Sequence, residues 1–555
     1  LWGGHWKYYA RENYIIIIQD VRGKWMSEGA FMDIRPFNKN KSGTETDEAS
    51  DTYDAIDWII NNVSNNNGNV GIFGISYPGF YATMAAASNH PALKAVSPQA
   101  PVTDWFMGDD FHHNGAFFQM DGFSFYSGFG KPRPKPTTVG SPGFEFPNRD
   151  NYKFYLENTL PKLMQFMKDS VQFWKDLYAH PNLDDWWKAR NARTAMYNIK
   201  PAMLVVGGLF DAEDCYGAWN LYKAIEKQNL PTGQAGTSTN NKIVMGPWSH
   251  GQWSSNDGTQ LGNIKFGSNT ALWYQNNIEL PFFNYYLKGK GNDPKIAEAT
   301  IFFSGENQWR KFDQWPPKET QPRDIYLAPG GALSWNLPTY VKSGSYSEYT
   351  SDPAHPVPYT EDVHFRRTRE YMTDDQRFAS RRPDVLTFET FPLEEDLTLA
   401  GTVTANLKVS ITGTDADFVV KVIDVFPDNF TYPESSMNPQ PTGGGRGAYP
   451  MGGYQMLVRG EIMRGKFRNS FETPIPFKPG KIETVKFDLP DIAHTFKKGH
   501  KLMIQVQSSW FPLADRNPQK FMNIYEATES DFQKATIRVY HDSANPSTIF
   551  LPVIR

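Results

Sequence analysis

The chain has 555 residues, a net charge of −4, 15% aromatic residues and a single cysteine, Cys215. This length exceeds one ordinary hydrophobic core, so two or three packed units are expected. The weak net charge provides no basic field for nucleic acid or an anionic membrane. No apolar run approaches the roughly 18 residues of a membrane-spanning helix, and one cysteine excludes an intrachain disulfide.

Strands and helices alternate in the first part of the chain. Residues 14–20 (YIIIIQD) predict a buried strand, and residues 53–63 carry apolar side chains at helical spacing. Two further short strands are predicted at residues 70–75 and 93–96, separated by a helix of small residues over 80–87. Such alternation predicts a parallel sheet covered by helices on both faces.

The alternation stops near residue 111 and resumes near residue 201. The intervening segment is rich in aromatic residues and interrupted by prolines, with a helical stretch around residues 160–178, which predicts an inserted helical cap. The sheet then resumes with these predicted elements: a strand at 203–206, a helix at 216–225, a strand at 243–245 and a helix at 272–287.

Beyond residue 295 the apolar pattern changes to a period of two, which predicts a β-sandwich of short strands. GGGRG at 443–447 is interpreted as a sandwich loop, because neither a helix nor a Lys-Ser pair follows its glycines. The predicted parts are 1–110, the first part of an α/β core; 111–200, the helical cap; 201–294, the second part of the core; and 295–555, the sandwich.

GISYPGF at residues 74–80 lies between a predicted strand and a predicted helix of small residues. A nucleophile elbow needs this context, because its turn must lift the serine Oγ above the sheet while small neighbours avoid clashes. Pro78 stands where the usual second glycine would be, and proline is acceptable in the first turn of a helix. Ser76 is therefore the candidate nucleophile of a serine hydrolase, against the alternative of a simple glycine-serine turn.

An α/β-hydrolase places its acid and then its histidine at the ends of later strands. Of the eleven histidines, only His250 lies between His180 and His355, and it directly follows the strand predicted at 243–245. Asp211 follows the preceding strand. The sequence thus predicts a triad of Ser76, Asp211 and His250, in the required order.

Two other groups of residues have simpler interpretations. Asp109, Asp110, His112 and His113 could suggest a metal site, but adjacent side chains point in different directions and no further histidine stands at ligand spacing. Polar contacts at the base of the cap are the favoured interpretation, and no metal or cofactor is predicted. Cys215 is interpreted as a small packed residue, because no histidine remains to pair with it.

The chain resembles the family that includes α-amino acid ester hydrolases, cocaine esterase, glutaryl-acylase-type enzymes and X-prolyl dipeptidyl peptidases. The resemblance covers essentially the whole chain. It is carried by QDVRGKWMSEG (19–29), AIDWI (55–59), GISYPGF (74–80), GGLFDAED (207–214), GPWSH (246–250), RPDVLTFET (382–390) and YQMLVRGEIMRGKFR (454–468). It implies an α/β-hydrolase core, a helical cap and a C-terminal jelly-roll β-sandwich, and its GxSYxG elbow accounts for the displaced glycine.

The α-amino acid ester hydrolases are the most similar members of that family, and their hallmark is a cluster of three carboxylates that holds the substrate's α-ammonium group. The resemblance assigns this role to Glu213 and Asp214, which follow Asp211, and to Asp110 or its neighbour Asp109, with Asp110 preferred. Adjacent carboxylates beside a catalytic aspartate are costly unless a cation meets them. The alternative is a solvated acidic loop.

The resemblance also implies an oxyanion hole made by the backbone N–H of Tyr77 and by a tyrosine hydroxyl from an early strand. That strand is expected to precede Leu1, together with any targeting segment. An exported protein that self-associates is implied in the same way.

The expected function is acyl transfer from esters and amides of α-amino acids, including β-lactam side chains, through an acyl-enzyme. The expected partner is a small-molecule substrate. An X-Pro dipeptidyl peptidase, a glutaryl-type acylase and a general carboxylesterase are the alternatives within the family, and a glycan-binding protein with a vestigial core is the alternative outside it. The carboxylate cluster disfavours the glutaryl alternative, because a substrate carboxylate would meet like charge.

Overall fold

The computed structural model describes residues 6–168, 170–229, 240–339, 341–433 and 449–555. The GGGRG segment at 443–447 lies outside the described residues. Within the described ranges, no helix combines the length and apolar character needed to cross a bilayer.

The first part of the core alternates helices and strands. Its elements are α1 (Trp6–Arg11), α2 (Glu48–Asn62), β1 (Val70–Ser76), α3 (Tyr77–Ser88) and β2 (Leu93–Pro101). The helix predicted at 53–63 begins earlier, at Glu48, because Asp47 and Ser50 form a capping box. Such a box satisfies otherwise unpaired N–H groups at a helix start.

The cap consists of a small hairpin and short helices between the two halves of the core. Its elements are β3 (His112–His113), β4 (Ala116–Phe117), α4 (Gln119–Tyr126), α5 (Asn151–Glu157), α6 (Leu160–Met167), α7 (Gln172–Ala179) and α8 (Asp185–Lys188). Buried aromatic side chains such as Phe123, Tyr126 and Trp174 fill its interior. Large rings supply the apolar area that such short helices would otherwise lack.

The second part of the core extends further along the chain than predicted. Its elements are β5 (Ala202–Gly208), α9 (Cys215–Asn229), β6 (Asn241–Gly246), α10 (Gln252–Ser255), β7 (Gln260–Leu261), β8 (Ile264–Lys265), α11 (Thr270–Tyr274), a π-helical turn (Gln275–Glu279), α12 (Leu280–Lys288), β9 (Ala299–Phe303) and β10 (Gln308–Phe312).

The core sheet has the strand order β1-β2-β5-β6-β9-β10. Its first five strands are parallel and β10 is antiparallel. The predicted boundary at residue 295 is therefore wrong for this sheet, because β9 and β10 belong to the core. Both are short strands, and a sequence period does not reveal which sheet a strand joins.

The strand predicted at residues 14–20 is also wrong. No strand is assigned there, and Ile15, Ile17 and Ile18 are 49%, 46% and 62% exposed. The segment borders a cavity of about 1550 Å³ beside β1, which is an edge strand of the described sheet. A run of β-branched residues favours a strand, but a strand also needs a hydrogen-bonded neighbour.

The sandwich contains strands from β11 to β22. They are β11 (Gln321–Ala328), β12 (Ala332–Ser334), β13 (Tyr346–Ser351), β14 (Leu386–Glu389), β15 (Leu397–Ile411), β16 (Asp417–Val425), β17 (Gln455–Arg464), β18 (Glu483–Phe496), β19 (Lys501–Gln507), β20 (Ala535–Asp542), β21 (Asn545–Pro546) and β22 (Thr548–Ile554), with the short helix α13 (Arg377–Ser380). The long strand β15 pairs with β18, β20 and β22.

One hydrophobic cluster joins all three parts of the protein. It contains Phe80 of the core, Trp174 of the cap and Trp510 of the sandwich, whereas a second cluster fills the sandwich interior. The sandwich thus packs against the core and the cap. This contact lets a residue outside the hydrolase core reach the site described next.

Candidate active site

Ser76 stands at the turn between β1 and α3 with φ 72° and ψ −130°. A non-glycine residue at positive φ is strained, and such strain is characteristic of a nucleophile elbow. The flanking glycines are sterically required: a Cβ on Gly74 would lie 2.2 Å from the carbonyl oxygen of Pro78, and one on Gly79 would lie 2.6 Å from that of Gln99. The glycine displaced by one position lets α3 approach β2 closely.

Tyr77 is the first residue of α3, so its backbone N–H has no intrahelical acceptor and can serve an oxyanion. The side chain of Tyr77 is anchored by hydrogen bonds of its hydroxyl. Its hydroxyl donates to Asp33 Oδ1 at 3.0 Å and accepts from the N–H of Ile34 at 3.0 Å. Tyr126 of the cap donates to the same Asp33 oxygen at 3.2 Å. These bonds fix the start of the helix on which the oxyanion donor depends.

His250 and Asp211 are paired as a triad requires. The Nδ1 of His250 donates to Asp211, with distances of 2.9 Å to Oδ2 and 3.1 Å to Oδ1. The loop that carries His250 also lies against the nucleophile elbow, since a Cβ on Gly251 would lie 3.8 Å from Cγ2 of Ile75. Ser76 thus ends β1, and Asp211 and His250 follow β5 and β6, which are parallel strands of the same sheet.

The loop after β5 positions three carboxylates around the histidine. Asp211 Oδ1 accepts from the N–H groups of Glu213, at 2.8 Å, and Asp214, at 3.1 Å. Glu213 Oε2 lies 3.2 Å from His250 Nε2, and Asp214 Oδ2 lies 3.8 Å from His250 Nδ1. The backbone N–H of Asp110 donates to the carbonyl oxygen of Glu213 at 3.0 Å, which joins the cap-entry loop to the acid loop.

The choice between Asp109 and Asp110 is clear from their partners. Asp109 Oδ2 accepts three hydrogen bonds, from the N–H and hydroxyl of Thr103 and from the N–H of Asp104, at 2.7 to 2.8 Å. Among the described residues, Asp110 Oδ2 accepts one side-chain hydrogen bond, from Trp105 Nε1 at 3.0 Å. Asp109 therefore holds the loop together, and Asp110 stays the preferred candidate for the carboxylate cluster.

The carboxylates cannot all be charged at neutral pH. Burial raises the pKa of Asp214 well above its usual value, and the charges of Asp110, Asp109, Asp211 and Glu213 raise it further. Both oxygens of Asp214 are buried without a hydrogen-bond partner in the described residues. Burial and Glu213 likewise raise the pKa of Asp110. At least one of these groups therefore holds a proton until a cation arrives.

His250 is strongly basic in this environment. Burial by itself lowers the pKa of its imidazole, but the charges of Asp211 and Glu213 outweigh burial and raise that pKa to about 9. His250 in turn holds the pKa of Asp211 below its usual range against the effect of burial. His250 thus lies between the carboxylates of Asp211 and Glu213, and both favour its protonated form.

Sequence reasoning missed Arg367 and its partner Asp121. Arg367, from the segment between β13 and β14, donates through Nε to Asp121 Oδ1 of α4 at 2.8 Å and through Nη2 to Glu213 Oε1. Burial opposes its charge, but these two carboxylates raise the pKa of the guanidinium well above its usual value. The sequence HFRRTRE at 364–370 contains three arginines and gives no sign of which one is buried.

The remaining polar candidates are engaged elsewhere. His112 contacts the carbonyl oxygen of Trp105 and the hydroxyl of Tyr525, while His113 contacts Glu461, so the two histidines do not converge. Burial raises the pKa of Cys215 to about 11. In the part of the chain that the structure describes, the one group with metal-ligand spacing is Glu213, Asp214 and His250.

Comparison with known proteins identifies the family. Residues 3–252 match a family described as X-Pro dipeptidyl-peptidase (S15 family), and residues 283–549 match the X-Pro dipeptidyl-peptidase C-terminal non-catalytic domain. An α-amino acid ester hydrolase of known structure is 37% identical, with a TM-score of 0.87 over 98% of this chain and 86% of that one. The chain belongs to the S15 family of serine hydrolases.

Two further proteins are similar to nearly the whole chain. An aminopeptidase from a marine sediment Thaumarchaeota archaeon is 37% identical, with a TM-score of 0.88 over 98% of this chain and 86% of that chain. The cocaine esterase of Rhodococcus sp. (strain MB1 Bresler) is 26% identical over 99% of this chain and 90% of that protein. The α/β-hydrolase core with a C-terminal jelly-roll sandwich is therefore confirmed, and this S15 enzyme is a serine hydrolase.

Proposed function

We propose that this enzyme transfers the acyl group of α-amino acid esters and amides, including β-lactam side chains, to water or to an amine. Asp214 carries the proposal: its carboxyl group is completely buried beside His250, and neither oxygen has a hydrogen-bond partner in the described residues. A buried carboxylate without a partner is costly, and an α-ammonium group on the substrate would supply both charge and hydrogen bonds.

In the proposed mechanism His250 takes the proton of Ser76 Oγ as the serine attacks the carbonyl carbon. Asp211 holds the imidazole by its Nδ1–H and stabilises the imidazolium that forms. The N–H of Tyr77 donates to the oxyanion. His250 then returns the proton to the leaving alcohol or amine, and water or an acceptor amine attacks the acyl-enzyme by the same route in reverse.

Asp110, Glu213 and Asp214 would select the acyl group by its α-ammonium. The names of two relatives favour this assignment, since one is an α-amino acid ester hydrolase and the other an aminopeptidase, and each of these substrate classes carries an α-amino group. An X-Pro dipeptidyl peptidase is the second candidate, because the matching family bears that name and a free peptide amino terminus is also a cation.

A substrate panel tests the proposal. Phenylglycine methyl ester and phenylacetic acid methyl ester differ only by the amino group, and the first should be cleaved at least 30-fold faster as kcat/KM at pH 7, which corresponds to about 2 kcal/mol for a buried charge pair. X-Pro and glutaryl anilides complete the panel. Equal rates on the two esters would refute the ammonium site, and preferential cleavage of the X-Pro anilide would favour the peptidase.

A further inference from the structure

Glu213 contacts the ring nitrogen of His250 that a catalytic base must present to the serine. Its Oε2 lies 3.2 Å from His250 Nε2, while Nδ1 of the same ring is bonded to Asp211. In a serine hydrolase triad, Nε2 accepts the hydroxyl proton of the nucleophile. Carboxylates at both ring nitrogens favour the doubly protonated imidazole, which has no lone pair for that step.

The other oxygen of Glu213 is held from a different part of the protein. Arg367, supplied by the chain segment between β13 and β14, binds Glu213 Oε1 and is itself braced by Asp121 of the cap at 2.8 Å. Glu213 therefore has one oxygen fixed on a buried guanidinium and one oxygen on the histidine. Its side chain is 21% exposed, compared with 0% for Asp214, so Glu213 is the more accessible of the two carboxylates.

We infer that Glu213 is a substrate-operated latch on His250. Its carboxylate contacts Nε2 in the free enzyme and moves away from that nitrogen when an α-ammonium group binds. This inference rests on the proposed function. The ammonium group offers Glu213 Oε2 a cation with three donors, and the carboxylate turns towards it about its fixed contact with Arg367. Nε2 then loses its proton to bulk water and becomes free to accept the proton of Ser76.

The electrostatic setting favours such an exchange. Charged or titratable groups near His250 and Glu213 are Asp211 and Asp214 from the β5–α9 loop, Asp109 and Asp110 from the cap-entry loop, Asp121 from α4, and Arg367 and Tyr371 from the segment before β14. The cavity beside Asp211 and Glu213 is also lined by His113 of β3, Cys215 and Tyr216 of α9, and Arg459 and Glu461 of β17. The fixed cation Arg367 already offsets Glu213 and Asp121. An arriving ammonium therefore meets Asp214, whose oxygens accept no hydrogen bond in the described residues, and Asp110, and its positive charge disfavours the protonated imidazole.

The latch gives the α-ammonium a second role besides affinity. A substrate without this group has to react with the small fraction of enzyme whose histidine is neutral, because the flanking charges hold the pKa of His250 at about 9 despite its burial. Selectivity for amino-acyl substrates would then appear in kcat as well as in KM. Plain complementarity between carboxylates and an ammonium group would act mainly on KM.

The experiment compares pH profiles of the complete enzyme on the two methyl esters. The acid limb of kcat/KM reports the free enzyme, and that of kcat reports the enzyme with substrate bound. For phenylacetic acid methyl ester the two limbs should coincide. For phenylglycine methyl ester, the acid limb of kcat reports the enzyme with the ammonium group bound. We expect this limb at least one pH unit below the acid limb of kcat/KM for phenylacetic acid methyl ester, which reports the free enzyme. This comparison needs no variant protein.

Glu213→Gln provides the matched perturbation, with Glu361→Gln as the control, since Glu361 is an exposed residue of the segment that carries Arg367. The variant should lose preference for the amino ester, yet cleave the phenylacetic ester faster than the parent at pH 7. Its acid limb should move to lower pH, and a limb lower by one pH unit gives about a tenfold gain in neutral imidazole at pH 7. A merely structural role for Glu213 would lower both rates and leave the limb in place.

Three results would overturn the latch. One is coincident limbs for kcat on the two esters in the unmodified enzyme. Another is an unchanged limb for Glu213→Gln on the phenylacetic ester. The third is a limb that moves on addition of EDTA, since Glu213, Asp214 and His250 could also share a metal ion. Each can occur while the parent still prefers the amino ester, whereas equal rates on the two esters refute the proposed function itself.

Discussion

Replacing Asp214 by asparagine removes the negative charge that this carboxyl group can carry once a cation is bound, and it leaves the shape of the side chain nearly unchanged. Asp214 is 0% exposed and has no hydrogen-bond partner in the described residues, so the substitution breaks no existing hydrogen bond of its carboxylate. Its expected effect falls on ligand binding. The amide can still accept a hydrogen bond from an ammonium group, but it cannot offset the positive charge.

The magnitude follows from the neighbours that remain. Breaking a buried, hydrogen-bonded charge pair costs about 2 to 5 kcal/mol. Asp110 and Glu213 still face the ammonium group in the variant, so the lower part of this range applies, and about 2 to 3 kcal/mol corresponds to a roughly 30- to 150-fold change in affinity. Asp214→Asn should therefore raise KM for phenylglycine methyl ester by this factor, with a much smaller change for phenylacetic acid methyl ester. An unchanged KM for the amino ester would refute the reasoning.

The same variant has a pH signature in stability. A carboxyl group whose pKa is raised by folding binds more protons in the folded than in the unfolded state, so its cost to stability appears as pH rises above the unfolded-state value of about 3.9. The pKa of Asp214 is raised mainly by burial. Thermal unfolding should therefore show Asp214→Asn gaining Tm over the parent at pH 8 but not at pH 4. The exposed control Asp54→Asn should give no such trend, and a gain confined to pH 4 would contradict the assignment.

Three further predictions test the rest of the site. Ser76→Ala should abolish ester turnover and labelling by a fluorophosphonate probe with an unchanged circular dichroism spectrum; near-normal turnover would remove Ser76 as the nucleophile. Asp211→Asn should lower kcat by roughly 10⁴-fold, because it disturbs the tautomer and charge of His250. If steady-state kinetics show a change in KM alone, the roles assigned to Asp211 and Asp214 are reversed. Gly79→Ala should destabilise the protein by about 1 to 3 kcal/mol in urea unfolding, because its Cβ would meet backbone atoms of Gln99 and Pro101 at 2.6 and 2.9 Å. The control is Gly143→Ala, because a Cβ there would lie 3.9 Å from its nearest neighbour. A loss of stability no larger than that of the control would show that the close approach at Gly79 is not required.

Local patterns determined a large part of the fold and of the candidate site. The small-residue helix after GIS, the apolar strands near 203 and 243 and the period-two strands near 402 and 501 all formed as predicted, because each pattern reports which faces of a segment are buried. Ser76, Asp211 and His250 could be chosen in advance because each directly follows a predicted strand. The carboxyl ends of parallel strands lie at the same edge of a sheet, so a predicted parallel sheet places residues that end or follow its strands along that edge.

Tertiary structure decided everything that depends on neighbours distant in the chain. Residues 14–20 have strand-forming side chains but no paired strand, and β9 lies in the core sheet although its composition would also suit the sandwich. Asp109 and Asp110 are adjacent and chemically identical in sequence, and only their hydrogen-bond partners in the fold separate the loop-forming Asp109 from Asp110. Arg367 reaches Glu213 across 154 positions of the chain. Its role depends on how the sandwich packs against the cap, and no local pattern encodes that contact.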